Sequence, residues 1–210
     1  MNLSQMRTIV RRELHDEDSE NYRWSNDELD RHIARAVNRL SEAIPQQQKA
    51  TIATTADSRE VDISAITDRV MLQAVEYPAG RFPRAYQRFC LWGDCVTLLG
   101  DEVPDGGNAF IYYGKLHTLD AETSTVPAIY EDLVATGAAG YAAIEWAAFA
   151  VNRVNVGGDK TPADFLKWGQ NRLEYFRQEL KRLGRRQRAR INQLYRPAYP
   201  AVSKTTDYGP

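Results

Sequence analysis

The 210-residue sequence predicts an α+β fold: a mainly α-helical bundle of about four helices, a β-rich insert between the second and third helices, and an extended C-terminal arm. Three observations carry that expectation. Ser25 with Glu28 forms a capping box ahead of Leu29, Ile33, Ala36, Val37, Leu40 and Ile44, which recur at three- and four-residue intervals. After Pro45 the pattern changes to short β-branched and aromatic runs divided by turn residues. Past Leu183 the chain becomes strongly basic, and no acidic residue interrupts it as far as Arg196.

Taken in order, the first helix is expected from about Ser4 to Leu14, with Met6, Ile9, Val10 and Leu14 inward. An acidic loop, His15 to Glu20, leads to the second helix, Ser25 to Ile44. There the Ser25 hydroxyl takes the N–H near Glu28, the Glu28 carboxylate returns to the N–H of Ser25, and Trp24 closes over Leu29 as a hydrophobic staple. Pro45 stops the helix. The insert offers strands at Thr51–Thr55, Arg59–Ile63 and Val70–Tyr77. A meander follows: Tyr86–Trp92, the turn Gly93-Asp94, Cys95–Leu99, the turn Asp105-Gly106-Gly107-Asn108, and Ala109–Tyr113.

Gly114 to Val126 reads as a polar connector. The third helix, Ile129 to about Asn152, is dense in alanine and glycine. Gly137 and Gly140 would each cost about 1 kcal/mol in an exposed helix, so a neighbouring helix, of this subunit or another, should approach closely there. After a helix-to-helix turn at Gly157-Gly158, Thr161-Pro162-Ala163-Asp164 starts the fourth helix with a cap, a proline at the first position and an acid in the first turn. Phe165, Trp168, Leu173, Phe176, Leu180 and Leu183 supply its apolar stripe. The division expected is a helical bundle from 1–48 and 127–183, a β-rich insert over 49–114, and a basic arm over 184–210, with Pro197 and Pro200 favouring an extended course.

Net charge is −1 and the pI about 6.3, so the molecule as a whole is no electrostatic binder of nucleic acid. The N-terminus lacks a basic-then-apolar leader, and the most apolar stretch, Leu133 to Val151, carries Glu145, which argues against a membrane span. If Gly93-Asp94 is a two-residue turn, Trp92 faces Cys95 and Cys90 faces Thr97. The two thiols are then diagonal neighbours at roughly 7–8 Å, too far for a disulfide, and both read as buried small hydrophobes.

Chemical motifs are few. An EF-type calcium loop started at Asp16 puts Asn21 where glycine is required and Asp27 where a bidentate glutamate belongs. Gly157-Gly158-Asp159-Lys160-Thr161 lacks a glycine directly before the lysine of a phosphate loop. His15, His32 and His117 are isolated and read as solvated, and no nucleophile elbow occurs. No catalytic role, metal or cofactor is expected. The site-like feature is the basic stretch, with Lys181, Arg182, Arg185, Arg186, Arg188, Arg190 and Arg196 interleaved with Tyr195 and Tyr199. Arginine with tyrosine suits docking into an acidic groove of a partner; the alternative is a nucleic-acid-binding module that uses the same basic segment on phosphates.

A resemblance adds to this reading. Arg11-Arg12-Glu13-Leu14 ending a short helix, the acidic loop, Trp24-Ser25-Asn26-Asp27-Glu28-Leu29, and an alanine-containing helix closed by Ile44-Pro45 resemble the N-terminal half of head-to-tail connector (adaptor) proteins of tailed bacteriophages. Tyr112-Tyr113-Gly114-Lys115-Leu116-His117, Glu131-Asp132-Leu133 before the Ala-rich helix, and Trp168-Gly169-Gln170 fit as well. The resemblance implies a structural virion protein, made in the host cytoplasm and placed in the neck, whose copies form a homo-oligomeric ring, expected to be dodecameric, beneath the portal protein. A downstream tail or stopper protein, and transient non-specific contact with DNA passing the lumen, are the other partners it implies. Arg185, Arg186, Arg188, Arg190, Tyr195, Arg196 and Tyr199 would dock on the portal.

Overall fold

In a computed structural model of the chain, which describes residues 1–150 and 161–195, helices and strands are mixed: four α-helices and two antiparallel sheets occur among those residues. Two units divide the chain. Among the described residues, one holds 1–46, 115–150 and 161–186; the other holds 47–114 and 187–195.

The first unit begins with α1, Leu3–Leu14, and α2, Asn26–Ala43. Both start with reciprocal capping boxes. Ser25 and Glu28 form the expected one, with the Ser25 N–H donating to Glu28 Oε2 at 2.7 Å and the Glu28 N–H to Ser25 Oγ at 3.2 Å. Asn2 and Gln5 form a second that the sequence reading passed over. These bonds satisfy N–H groups that a helix start leaves without partners, and they hold the Glu28 carboxyl below its usual range. Trp24 and Leu29 are both buried in the same core, as a staple requires.

After a 3-10 turn at Ala128–Tyr130 comes α3, Glu131–Ala150, and then α4, Pro162–Gln193. The Ala128–Ala150 stretch is long and apolar enough to cross a membrane by length and composition, and 67% of its most apolar 18-residue window is buried within the protein. Its glycines explain that burial. A Cβ on Gly137 would stand 2.9 Å from the Phe176 ring, and one on Gly140 would stand 3.0 Å from Leu173 and 3.2 Å from the Gly169 carbonyl oxygen. The close neighbour is therefore α4 of the same chain. Met6, Val10, Leu29, Ile33, Leu40, Leu173 and Phe176 complete this core.

Two histidines depart from expectation. His117 is buried rather than solvated: its backbone N–H donates to Ser41 Oγ at 2.9 Å, and its ring nitrogens lie 2.8 Å from the Thr125 carbonyl and 3.0 Å from the Ile44 carbonyl. The ring thereby serves an orphan carbonyl at the end of α2. His32, on α2, is also buried, with Nε2 3.3 Å from Glu145 Oε2. The loop after α1 differs too. Asp16 is buried, accepting from Arg11 at 2.5 Å and from the Arg23 N–H at 2.7 Å.

The second unit carries seven strands. β1 (Gln46–Ala53), β7 (Asn108–Lys115), β3 (Arg69–Glu76) and β4 (Tyr86–Gln87) form one sheet in that order; β2 (Glu60–Asp62), β6 (Cys95–Leu98) and β5 (Phe89–Trp92) form the other. β1 begins at Gln46, five residues before the strand expected at Thr51–Thr55. The β5–β6 hairpin has the expected register, Cys90 opposite Thr97 and Trp92 opposite Cys95, with Gly93 at φ +57° in the turn. The meander does not continue: β7 joins the four-stranded sheet, and the expected strand Tyr86–Trp92 is split at Arg88 between the two sheets. Both cysteines are free, but Cys90 is exposed and Cys95 half-buried, so neither is the buried hydrophobe expected. Val61, Val75, Val96, Leu98, Ala109 and Ile111 from both sheets share one core.

Candidate partner-docking surface

The extended arm expected from residue 184 is, in its first ten residues, helix: α4 runs unbroken to Gln193. The reason is physical. A helix already nucleated at Thr161-Pro162 gains residues without the nucleation cost, and arginine, glutamine, alanine and leucine are good helix formers. Cations in the last turns also complement the helix dipole. The shielded stripe continues as Leu180, Leu183, Gly184, Gln187, Ile191 and Leu194 at three- and four-residue steps. Leu183 and Gly184 are buried, and a Cβ on Gly184 would meet Ala43 at ordinary contact distance, 3.7 Å.

Arg185, Arg186, Arg188 and Arg190 are all exposed. Among the described residues none of the four lies in an ion pair, whereas Arg182 one turn earlier donates to Glu179 at 2.6 and 2.9 Å. Arg185, Arg186, Arg188 and Arg190 are thus exposed guanidinium groups with no carboxylate partner among the described residues. Each can grip a carboxylate or phosphate with two parallel N–H bonds, which a lysine cannot do.

Tyr195 is not exposed as those arginines are. Its ring is half-buried and packs edge-on against Tyr86, with centroids 6.4 Å apart, and burial pushes its phenol pKa up. It is anchored on its own chain rather than free. Arg196 and Tyr199 lie outside the described residues.

Tyr86 in turn packs on Tyr112 at 6.0 Å. The Tyr112 hydroxyl donates to Glu76 Oε2 at 2.7 Å, and the Gly80 N–H donates to Glu76 Oε1 at 3.0 Å. Glu76 is 1% exposed. Burial, followed by the bond to Glu76, drives the Tyr112 phenol far above its usual value. Sequence reasoning missed this platform, and a glutamate at the end of a strand gives no signal that could have found it. No family model matches the chain, and no curated protein matches it.

Proposed function

We propose that this chain is a structural head-to-tail connector (adaptor) subunit of a tailed-bacteriophage neck, with copies arranged as a ring between portal and tail around a lumen that passes DNA. The observation that carries the reading is the exposure of Arg185, Arg186, Arg188 and Arg190 on α4 without ion-pair partners among the described residues, read together with the connector-like order of segments along the sequence. Under this reading residues 1–48 and 127–183 act as a helical bundle forming the ring wall. Residues 49–114 are an insert that presents a surface to neighbours or to a tail component. The chain has no catalytic role, and its place is the virion neck.

The test uses the full chain and its cognate portal protein. Arg185, Arg186, Arg188 and Arg190 changed together to Glu should abolish assembly on the portal, seen by electron microscopy and co-sedimentation, while the thermal transition stays near that of the parent. Undiminished assembly by this variant would overturn the reading. The same arginines favour a second reading, a nucleic-acid-binding module: duplex DNA bound tightly by the isolated protein, with log affinity falling steeply against log salt, would support it.

A further inference from the structure

The outward face of the three-stranded sheet follows from its register. Glu60 stands opposite Thr97 and Asp62 opposite Cys95; across the hairpin, Trp92 faces Cys95 and Cys90 faces Thr97. Directly paired residues share a face, so Trp92, both cysteines and two carboxylates lie on one surface. The alternate residues Val61, Val96 and Leu98 point into the core. Trp92 is 86% exposed and borders a groove of about 420 Å³ that is also lined by Glu60, Asp62, Asp94 and Cys95. Asp94 is partly neutralised by Arg69, but Glu60 has no cation within ion-pair distance among the described residues.

A second feature of the same unit carries the complementary chemistry. The loop Arg81-Phe82-Pro83-Arg84 between β3 and β4 is exposed throughout, and Phe82 is 88% exposed. Arg81 has no carboxylate partner among the described residues; Arg84 meets the Tyr86 hydroxyl at 3.5 Å and feels the charge of Glu76, with no carboxylate in ion-pair distance among the described residues. Phe82 and Trp92 are the two most exposed large apolar side chains described. One is flanked by cations, the other by anions.

We propose that the Arg81–Arg84 loop of one copy seats in the Trp92 groove of a second copy, with Phe82 against Trp92 and the arginines on Glu60 and Asp62. An aromatic pair adds to the buried area it brings, and arginine both stacks on tryptophan and forks onto carboxylate. Two grooves of the same negative sign repel each other, which disfavours pairing like with like. The contact joins two different patches, and repeated head to tail from copy to copy it closes if the rotation allows. It deepens the ring reading by supplying the subunit contact, and it uses none of the α4 arginines.

Analytical ultracentrifugation of the full chain over a concentration series tests it. Wild type should self-associate, and Trp92→Ala, Glu60→Arg or Arg81→Glu should each weaken association by about tenfold or more. Glu60→Arg combined with Arg81→Glu should recover it. A wild type that stays monomeric throughout, or association indifferent to all three changes, overturns the proposal. Covalent trapping gives an independent readout. In a Cys90→Ser background, Arg81→Cys should oxidise with Cys95 of the next copy into a ladder reaching trimers and beyond; adding Cys95→Ser should stop the product at dimer. A product that ends at dimer with Cys95 present also overturns it. Portal assembly measured on the same variants separates the two readings, because the α4 arginines remain in place.

Discussion

The Arg11 guanidinium donates to Asp16 Oδ2 at 2.5 Å, and both side chains are buried, at 7% and 5% exposure. The same guanidinium donates to the Trp24 carbonyl at 2.9 Å and to Asn26 Oδ1 at 3.0 Å, and the Tyr22 ring covers it at 3.5 Å. Asp16 also accepts the N–H groups of Arg23 and Trp24. One ion pair therefore fixes the path from α1 into α2. Asp16→Asn leaves a buried cation without its counter-charge, which costs about 3–5 kcal/mol where such pairs are broken. Urea unfolding should show a loss of that order; a change within about 0.5 kcal/mol, the range of ordinary surface substitutions, would contradict it.

The cap at Ser25 gives a smaller, separable effect. Ser25→Ala removes the acceptor for the Glu28 N–H and should cost roughly 1 kcal/mol, while Ser25→Asp, itself a good cap, should keep most of it. The midpoint of chemical unfolding reads both.

The α3–α4 seam predicts the sign of a glycine substitution. A Cβ on Gly169 would stand 2.9 Å from Ile144 and 3.0 Å from the Gly140 carbonyl oxygen, which is backbone. Alanine gains about 1 kcal/mol of helix propensity, but overpacking against a backbone that cannot swing aside costs about 1–3 kcal/mol. Gly169→Ala should therefore lower the thermal midpoint. The same change at an exposed helical position would raise it.

His32 makes stability depend on pH. Burial pushes its imidazole below the ordinary value; Arg31 and Arg35 push the same way, while Glu145 and Glu28 oppose them. The folded state thus binds the proton more weakly than the unfolded chain, whose value lies near 6.5. Stability is fully present above about 6.5 and is lost as pH falls from there through the lowered folded value. His32→Gln should flatten the stability profile between about pH 7 and 5. An unchanged slope would remove His32 as the cause.

Much of this fold is written in near neighbours along the chain. The Ser25 cap, the α2 stripe, the Gly93-Asp94 hairpin with its register, and the glycine-dense packing face of α3 all depend on residues a few positions apart, so periodicity and turn chemistry reveal them. What was illegible depends on distant partners. Asp16 looks like any loop carboxylate until Arg11 and two N–H groups converge on it. His117 looks solvated until Ile44 and Thr125 enclose it. The split at Arg88 and the crossing of β7 into the other sheet are tertiary choices between two equally β-prone pairings. At the basic end of α4 local composition misled in the opposite direction, because polarity was weighed above the helix already in progress. Of the candidate site, the arginines were legible as a cluster, but their helical display and the Tyr86 platform under Tyr195 were not.

The α3–α4 seam also limits how the molecule can vary. Where two helices meet through missing side chains, trimming Leu173 or Ile144 opposite is not enough to admit an enlarged residue, since main-chain oxygen also lies opposite. Gradual drift at Gly140 and Gly169 is closed off, and only a concerted shift of both rods would admit new bulk.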